Sequence, residues 1–163
     1  MEEERDWDAV YAVNVAAFET PLDANLVNTL RQQAQPLICF VAEDAGIVVG
    51  HILFSRVSLT GHSEVKIMGL GPMAVAPDHQ RKGIGSALVR AGLDRCKQLG
   101  VGAVIVLGHP DYYPRFGFLP SSRFGIGCEY DVPEDVFMVA ELQPGYLHGR
   151  AGTIKYHPAF SEA

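Results

Sequence analysis

No apolar run in the sequence approaches the length of a membrane span, and the start, Met1-Glu2-Glu3-Glu4, is acidic where a signal peptide is basic. Neither a membrane anchor nor a secretory leader is expected, and a cytoplasmic location is. Cysteine is scarce. Cys39, Cys96 and Cys128 are odd in number and widely scattered, which argues against a disulfide framework and against C-x-x-C metal spacing. No metal is expected, and Cys96, on the apolar side of a helix, reads as a small core residue rather than a nucleophile. Cations are the minority charge. With 13 lysines and arginines against 19 aspartates and glutamates, the net charge is −6. Nucleic acid is therefore not an expected partner, because phosphate recognition needs clustered cations. The same charge favours a cationic substrate by steering. Repeats, low-complexity tracts and linkers are absent as well.

What is present is a globular composition, 48% apolar and 20% charged over 163 residues, enough for one domain with a sizeable core spanning residues 1–163. Val10, Val13, Ala17 and Phe18 have helical spacing within Trp7–Phe18. Pro21 breaks that helix, and Asp23 reads as the N-cap of a second one carrying Leu26, Val27 and Leu30. Leu37–Glu43 and Ile47–Phe54 are β-branched runs joined by Asp44-Ala45-Gly46, a hairpin signal. After the polar turn Thr60–Ser63, residues Glu64–Ala76 form a long strand interrupted at Gly69-Leu70-Gly71-Pro72. There Pro72 removes a ladder donor and leaves backbone groups able to pair with something else.

An amphipathic helix spans Gly83–Leu99, with Ile84, Leu88, Val89, Gly92, Leu93, Cys96 and Leu99 on one side. Val101–Leu107 is then a near-continuous apolar run, as in a strand covered on both faces. Strand, helix and strand in this order give a right-handed crossover between parallel strands, with a ligand expected outside their carboxyl ends. Residues 110–116 can form a short helix ended by Gly117, and Pro120–Pro133 is loop-like. Phe137–Leu142 and Gly152–His157 are two final strands.

The chemistry concentrates between the long strand and the amphipathic helix, at Pro77-Asp78-His79-Gln80-Arg81-Lys82-Gly83-Ile84-Gly85-Ser86. Gly83 and Gly85 have no Cβ, so an anion can approach the backbone closely. The first helical N–H groups and the dipole add positive potential, and Arg81 and Lys82 add two cations. The result suits a phosphate or pyrophosphate. The third glycine of a dinucleotide fingerprint is missing, and so is the Gly-Lys-Ser/Thr ending of a P-loop.

Gln80-x-x-Gly83-x-Gly85 resembles the Q/R-x-x-G-x-G/A pyrophosphate loop of the GNAT superfamily of N-acetyltransferases. Some thirty residues on, Tyr113-Pro114-Arg115-Phe116-Gly117-Phe118 resembles that family's Y-x-x-x-G-F ending. Leu70–Val75 and the Tyr112-Tyr113 pair are similar to a bacterial subgroup of predicted acetyltransferases. The resemblance implies an α/β (α+β) fold: a mixed, centrally parallel sheet flanked by helices and splayed at the cofactor site. It also implies acetyl-CoA as co-substrate, with Gln80, Arg81, Lys82, Gly83, Ile84, Gly85 and Ser86 at its pyrophosphate. Met73, Ala74 and Val75 would lie along its pantetheine, with an N–H near Met73 or Ala74 polarising the thioester carbonyl. Tyr113 would contact the cofactor and act as general acid for the departing thiolate. For the base, Glu64, His51, His109 and Asp111 are all candidates, and His109 has the ordinary pKa range for the task. The function implied is direct acetyl transfer to a primary amine in a ternary complex; the alternative is a GNAT-like sensor that binds acyl-CoA without turnover. Transfer of longer acyl groups is a third class. An amine acceptor is the implied partner, and relatives commonly form homodimers.

Overall fold

The computed structural model describes residues 1–162. The chain divides into two compact units. The first holds Met1–Ser55, Gly71–Asp94 and the segment from Pro158; the second holds Arg56–Leu70 and Arg95–His157. The class is mixed α/β, as expected.

In the first unit lie α1 (Trp7–Phe18), α2 (Leu22–Gln33), β1 (Ile38–Asp44), the start of β2 (Ile47–Leu59), the end of β3 (His62–Val75) and most of α3 (Ile84–Gln98). α1 has the predicted bounds, but Phe18 is exposed and Asn14 is buried in its place on the inward face. α2 begins at Leu22, so Asp23 sits in its first turn and not at the cap. The Leu22 N–H is met instead by the hydroxyl of Thr20, 3.3 Å away. Val10, Leu26, Val27, Leu30, Cys39 and Leu53 close one core. The β1–β2 hairpin pairs Asp44 with Ile47, and Ala45 and Gly46 have φ of 52° and 81°. Two positive values are what a two-residue turn between right-twisted strands requires. α3 lies close over β2 because two glycines face it and face from it. A Cβ on Gly50 would stand 3.1 Å from Ile84 and Leu88, and one on Gly92 would stand 2.0 Å from the Phe54 ring.

The second unit contains the rest of β2 and β3, joined by a turn at Thr60-Gly61, and the last turn of α3. It adds β4 (Ala103–Leu107), β5 (Leu119–Pro120), β6 (Ile126–Cys128), β7 (Phe137–Glu141) and β8 (Gly152–Lys155). The strand order is β5-β7-β4-β3-β2-β8-β6. The β3–β4 pair at its middle is parallel, from Ile67↔Ala103 to Leu70↔Val106, as the strand–helix–strand order predicts. β4–β7, β5–β7 and β2–β8 are antiparallel, and β6–β8 is parallel. Val57, Ile67, Ile105, Phe137, Val139 and Ile154 form the core on one face. The loop expected over Pro120–Pro133 contains β5, a 3-10 turn at Ser121–Phe124, and β6. Strands of two and three residues are too short to show a period. Among the described residues, no helix is long and apolar enough to cross a membrane.

Candidate active site

β3 ends at Val75, and Pro77–His79 make one 3-10 turn, with the His79 N–H on the Ala76 carbonyl at 2.8 Å. The side chain of Gln80 folds back, its Nε2 donating to the Val75 carbonyl at 3.1 Å. His79 Nε2 lies 3.1 Å from Asp44 Oδ2, which ties the same turn to the β1–β2 hairpin. The chain then passes through two left-handed residues, Arg81 (φ 63°) and Gly83 (φ 82°), before α3 begins at Ile84. The first bond into the helix runs from the Ala87 N–H to the Gly83 carbonyl, 3.0 Å. The N–H groups of Ile84 and Gly85 therefore precede the helical ladder, at the positive end of the dipole. Nothing lies within 4 Å of where a Gly83 Cβ would be. Glycine stands there for its φ and for open approach to the backbone, and Arg81 and Lys82 are exposed beside it. These features fit a pyrophosphate. Gln80 contributes by holding the turn to the strand end.

Upstream of the turn, Met73 and Val75 are half-buried while Ala74 is buried, the alternation of a strand. The Ala76 N–H is used by the Val49 carbonyl at 2.8 Å.

Tyr113 opens the 3-10 turn Tyr113–Phe116, which Gly117 ends at φ 92°. Its ring is buried against Gly108 and meets Tyr112 and Phe118 edge-on at 5.1 and 5.6 Å. Burial, with a smaller contribution from Tyr112, pushes the phenol up to about 12. It stays protonated across the neutral range, so there it can give up a proton but cannot take one.

The four base candidates have four different surroundings. His109 is exposed, and its Nδ1 accepts from the Asp111 N–H at 3.2 Å; the Asp111 carboxylate is 4.0 Å away and also exposed. Glu64 is exposed, with His62 Nδ1 and Arg150 Nε each at 3.5 Å. A hydrogen bond with its own backbone, helped by those cations, holds its carboxyl below the usual range, which weakens it as a base. His51 is wholly buried, and burial pushes its imidazole down. Its Nδ1 lies 3.4 Å from Asn14 Nδ2 and its Nε2 lies 3.4 Å from Glu2 Oε1. Cys96 is buried, and burial pushes its thiol up to about 12, so it is no nucleophile at neutral pH.

The His51 cluster was not legible in the sequence. Arg31 grips Glu2 through two bonds of 2.7 and 2.5 Å, and both side chains are buried. Cys39 stands close enough that the ligand atoms of Glu2, Cys39 and His51 lie within 4.8 Å of one another. The chemistry there is that of an ion pair rather than a metal cradle. The guanidinium already occupies the carboxylate, and Asn14 Nδ2, which also donates to the Val10 carbonyl, faces Nδ1 as a donor. Nδ1 is then the acceptor, and the ring proton is on Nε2, facing Glu2.

Residues 6–118 match the model of the acetyltransferase (GNAT) family. The chain belongs to that family. It is 34% identical over 146 residues to the uncharacterised N-acetyltransferase YhbS of Escherichia coli, covering 89% of this chain and 87% of that one. It is 37% identical over 134 residues to the uncharacterised N-acetyltransferase YjhQ of the same organism, covering 80% and 74%. The crystal structure of YhbS in complex with CoA superposes with a TM-score of 0.92 at 32% identity, covering 98% of this chain and 89% of that one. A GNAT family acetyltransferase of Brucella melitensis in complex with acetyl-CoA gives 0.80 at 32% identity, covering 98% and 94%. The two stretches that resemble that family's motifs, Gln80–Gly85 and Tyr113–Phe118, lie at the start of α3 and in the turn after β4.

Proposed function

We propose that the whole chain works as one acetyltransferase domain that moves an acetyl group from acetyl-CoA to a primary amine, by direct attack with both substrates bound. The observation that supports this most is the start of α3, where left-handed Arg81 and Gly83 lead into N–H groups that precede the helical ladder. Backbone amides from Arg81 to Ser86 hold the pyrophosphate, and those of Met73, Ala74 and Val75 pair with the pantetheine. An N–H at Met73 or Ala74 polarises the thioester carbonyl.

A neutral amine then forms the new C–N bond as the C–S bond breaks. Tyr113 donates a hydrogen bond to the sulfur as charge develops and gives up its proton to the leaving thiolate. A phenol near 12 is a weaker acid than a free thiol, whose reference value is about 8.5. The transfer therefore depends on a thiolate made more basic by a poorly solvated site. His109 takes the proton released by the amine, Glu64 being the weaker base for the reason given above.

Thiol release from acetyl-CoA across a panel of amines tests the reading. Turnover with at least one amine is expected. CoA binding with no turnover on any of them would replace it with a sensor that holds acyl-CoA, and faster turnover of longer acyl thioesters would change the donor.

A further inference from the structure

Binding a pyrophosphate through main-chain N–H groups requires the turn before α3 to be held in one shape. Gln80 anchors that turn on one side, to Val75 of the strand it leaves. Arg81 follows at φ 63°, a left-handed conformation that is unfavourable for a residue with a side chain. Such a residue persists where its surroundings over-determine it.

The β1–β2 hairpin, in the same compact unit, meets the turn at three points. Before the turn, the Ala76 N–H donates to the Val49 carbonyl at 2.8 Å. Val49 is the extra residue of a bulge, since Ala42 lies opposite Gly50 and Glu43 opposite Val48. After the turn, Ile84 and Leu88 of α3 rest on Gly50, where a Cβ would stand 3.1 Å from each. Within it, His79 Nε2 lies 3.1 Å from Oδ2 of Asp44, the last β1 residue before the hairpin loop. The first two contacts are main-chain and apolar. The third joins two side chains, and nothing in the strand pairing requires it.

The His79 ring has no second anchor. Its Nδ1 is buried and has no hydrogen-bond partner among the described residues. Nε2 faces a carboxylate and carries a proton, and Nδ1 is left unpaired whether or not it carries one too. An unpaired buried polar atom is unfavourable. Swinging the ring into water would satisfy it, and the bond to Asp44 opposes that.

We propose that Asp44 and His79 are positioning residues for the cofactor. Their bond ties the hairpin to the turn, keeps Arg81 left-handed, and so aims the N–H groups ahead of the helical ladder at the pyrophosphate. Both act through the main chain of Arg81–Ser86. The proposal rests on the reading that this main chain binds CoA.

Charge and position predict opposite signs, which calorimetry with CoA resolves. A carboxylate beside a pyrophosphate repels it, so by charge alone Asp44→Ala would tighten CoA. Positioning has Asp44→Ala and His79→Ala each weakening CoA about threefold, the scale of one exposed pair. Asp44→Asn loses the charge but keeps an oxygen that accepts from the Nε2–H, and binds CoA at least as tightly as the wild type. The double variant Asp44→Ala with His79→Ala is no weaker than either single, because both remove the same bond. By reciprocity, CoA slows amide exchange across the hairpin loop at residues 45–47 in the wild type and not in His79→Ala.

Wild-type affinity in both alanine variants, tighter binding in Asp44→Ala, or additive losses in the double variant would overturn the pair. So would Asp44→Asn as weak as Asp44→Ala, or hairpin exchange that CoA leaves unchanged in the wild type. Gly83→Val separates the pair from the reading beneath it. CoA binding weakened by Gly83→Val but not by Asp44→Ala or His79→Ala keeps the loop at the pyrophosphate and overturns the pair alone. CoA binding indifferent to all three overturns both. The expected pattern of CoA affinities without turnover on any amine supports the pair and overturns acetyl transfer.

Discussion

A Cβ placed on Gly108 would lie 2.2 Å from Cε2 of Tyr113. The last residue before the turn and the phenol are thus packed against each other with no room for a methyl group. The ring is rigid and is held on its other edges by Tyr112 and Phe118, so it would have to move. Gly108→Ala is expected to lower kcat by displacing the phenol, with CoA affinity changed less than about twofold. Tyr113→Phe, which keeps the packing and deletes the proton, should lower kcat about a hundredfold, the low end for a general acid. Steady-state thiol release with a saturating amine measures both. A normal kcat in Tyr113→Phe removes the acid role.

Gly83 is required for its backbone and not for its neighbours. At φ 82° a side chain costs about 1–2 kcal/mol, and nothing within 4 Å would clash with the new Cβ. Gly83→Val should remain folded, with a melting temperature a few degrees lower. It should bind CoA at least about tenfold more weakly because the turn reshapes ahead of Ile84. Isothermal titration with CoA checks this, and unchanged affinity would remove the loop from the pyrophosphate.

Much of this was legible because local chemistry and fold agree. α1 has the predicted bounds, since its apolar spacing and Pro21 are local signals, and Asp44-Ala45-Gly46 announces its own hairpin. Gly83 marks the left-handed turn between β3 and α3, and Gly117 the one that ends the short helical turn after β4. What was not legible depended on partners distant in sequence. β6 is a strand because β8 pairs with it, twenty-six residues later at Ile126↔Gly152. Asn14 is buried where apolar spacing favoured Ala17 and Phe18, because Val10 and His51 give its amide partners. The Glu2–Arg31 pair crosses 29 residues, and no motif signals it. Gln80 matched a cofactor motif, yet its side chain turns to Val75, a choice that only the folded turn reveals.

Gly92 sets how closely α3 approaches β2. A methyl group there would stand 2.0 Å from Phe54, a fully buried ring with nowhere to go. Alanine favours a helix by about 1 kcal/mol over glycine, and overpacking costs about 1–3 kcal/mol or more. The steric cost wins. Gly92→Ala should lower the melting temperature despite the better helix former, by roughly 2–4 °C per kcal/mol lost. Pairing it with Phe54→Leu should recover part of the loss, which a thermal melt of the single and double variants resolves.

His51 makes the fold sensitive to mild acid. Burial holds its pKa in the folded chain below the unfolded value of 6.5, so the unfolded chain binds the proton more tightly. The sign follows. Stability from the neutral ring is complete above about pH 6.5 and declines as pH falls toward the folded pKa, by at most about 1.4 kcal/mol per pH unit for one proton. Glu2 opposes the shift by stabilising the charged ring, but Arg31 already holds that carboxylate through two bonds, and desolvation remains the larger effect. His51→Gln keeps a polar side chain and removes the titration. Melting curves from pH 7.5 to 5 should therefore fall more steeply for the wild type than for His51→Gln, by about 3–5 °C per unit below pH 6.5. Parallel curves would mean that the imidazole is not held neutral in the fold, and that its place between Asn14 and Glu2 accommodates the charged ring as well as the neutral one.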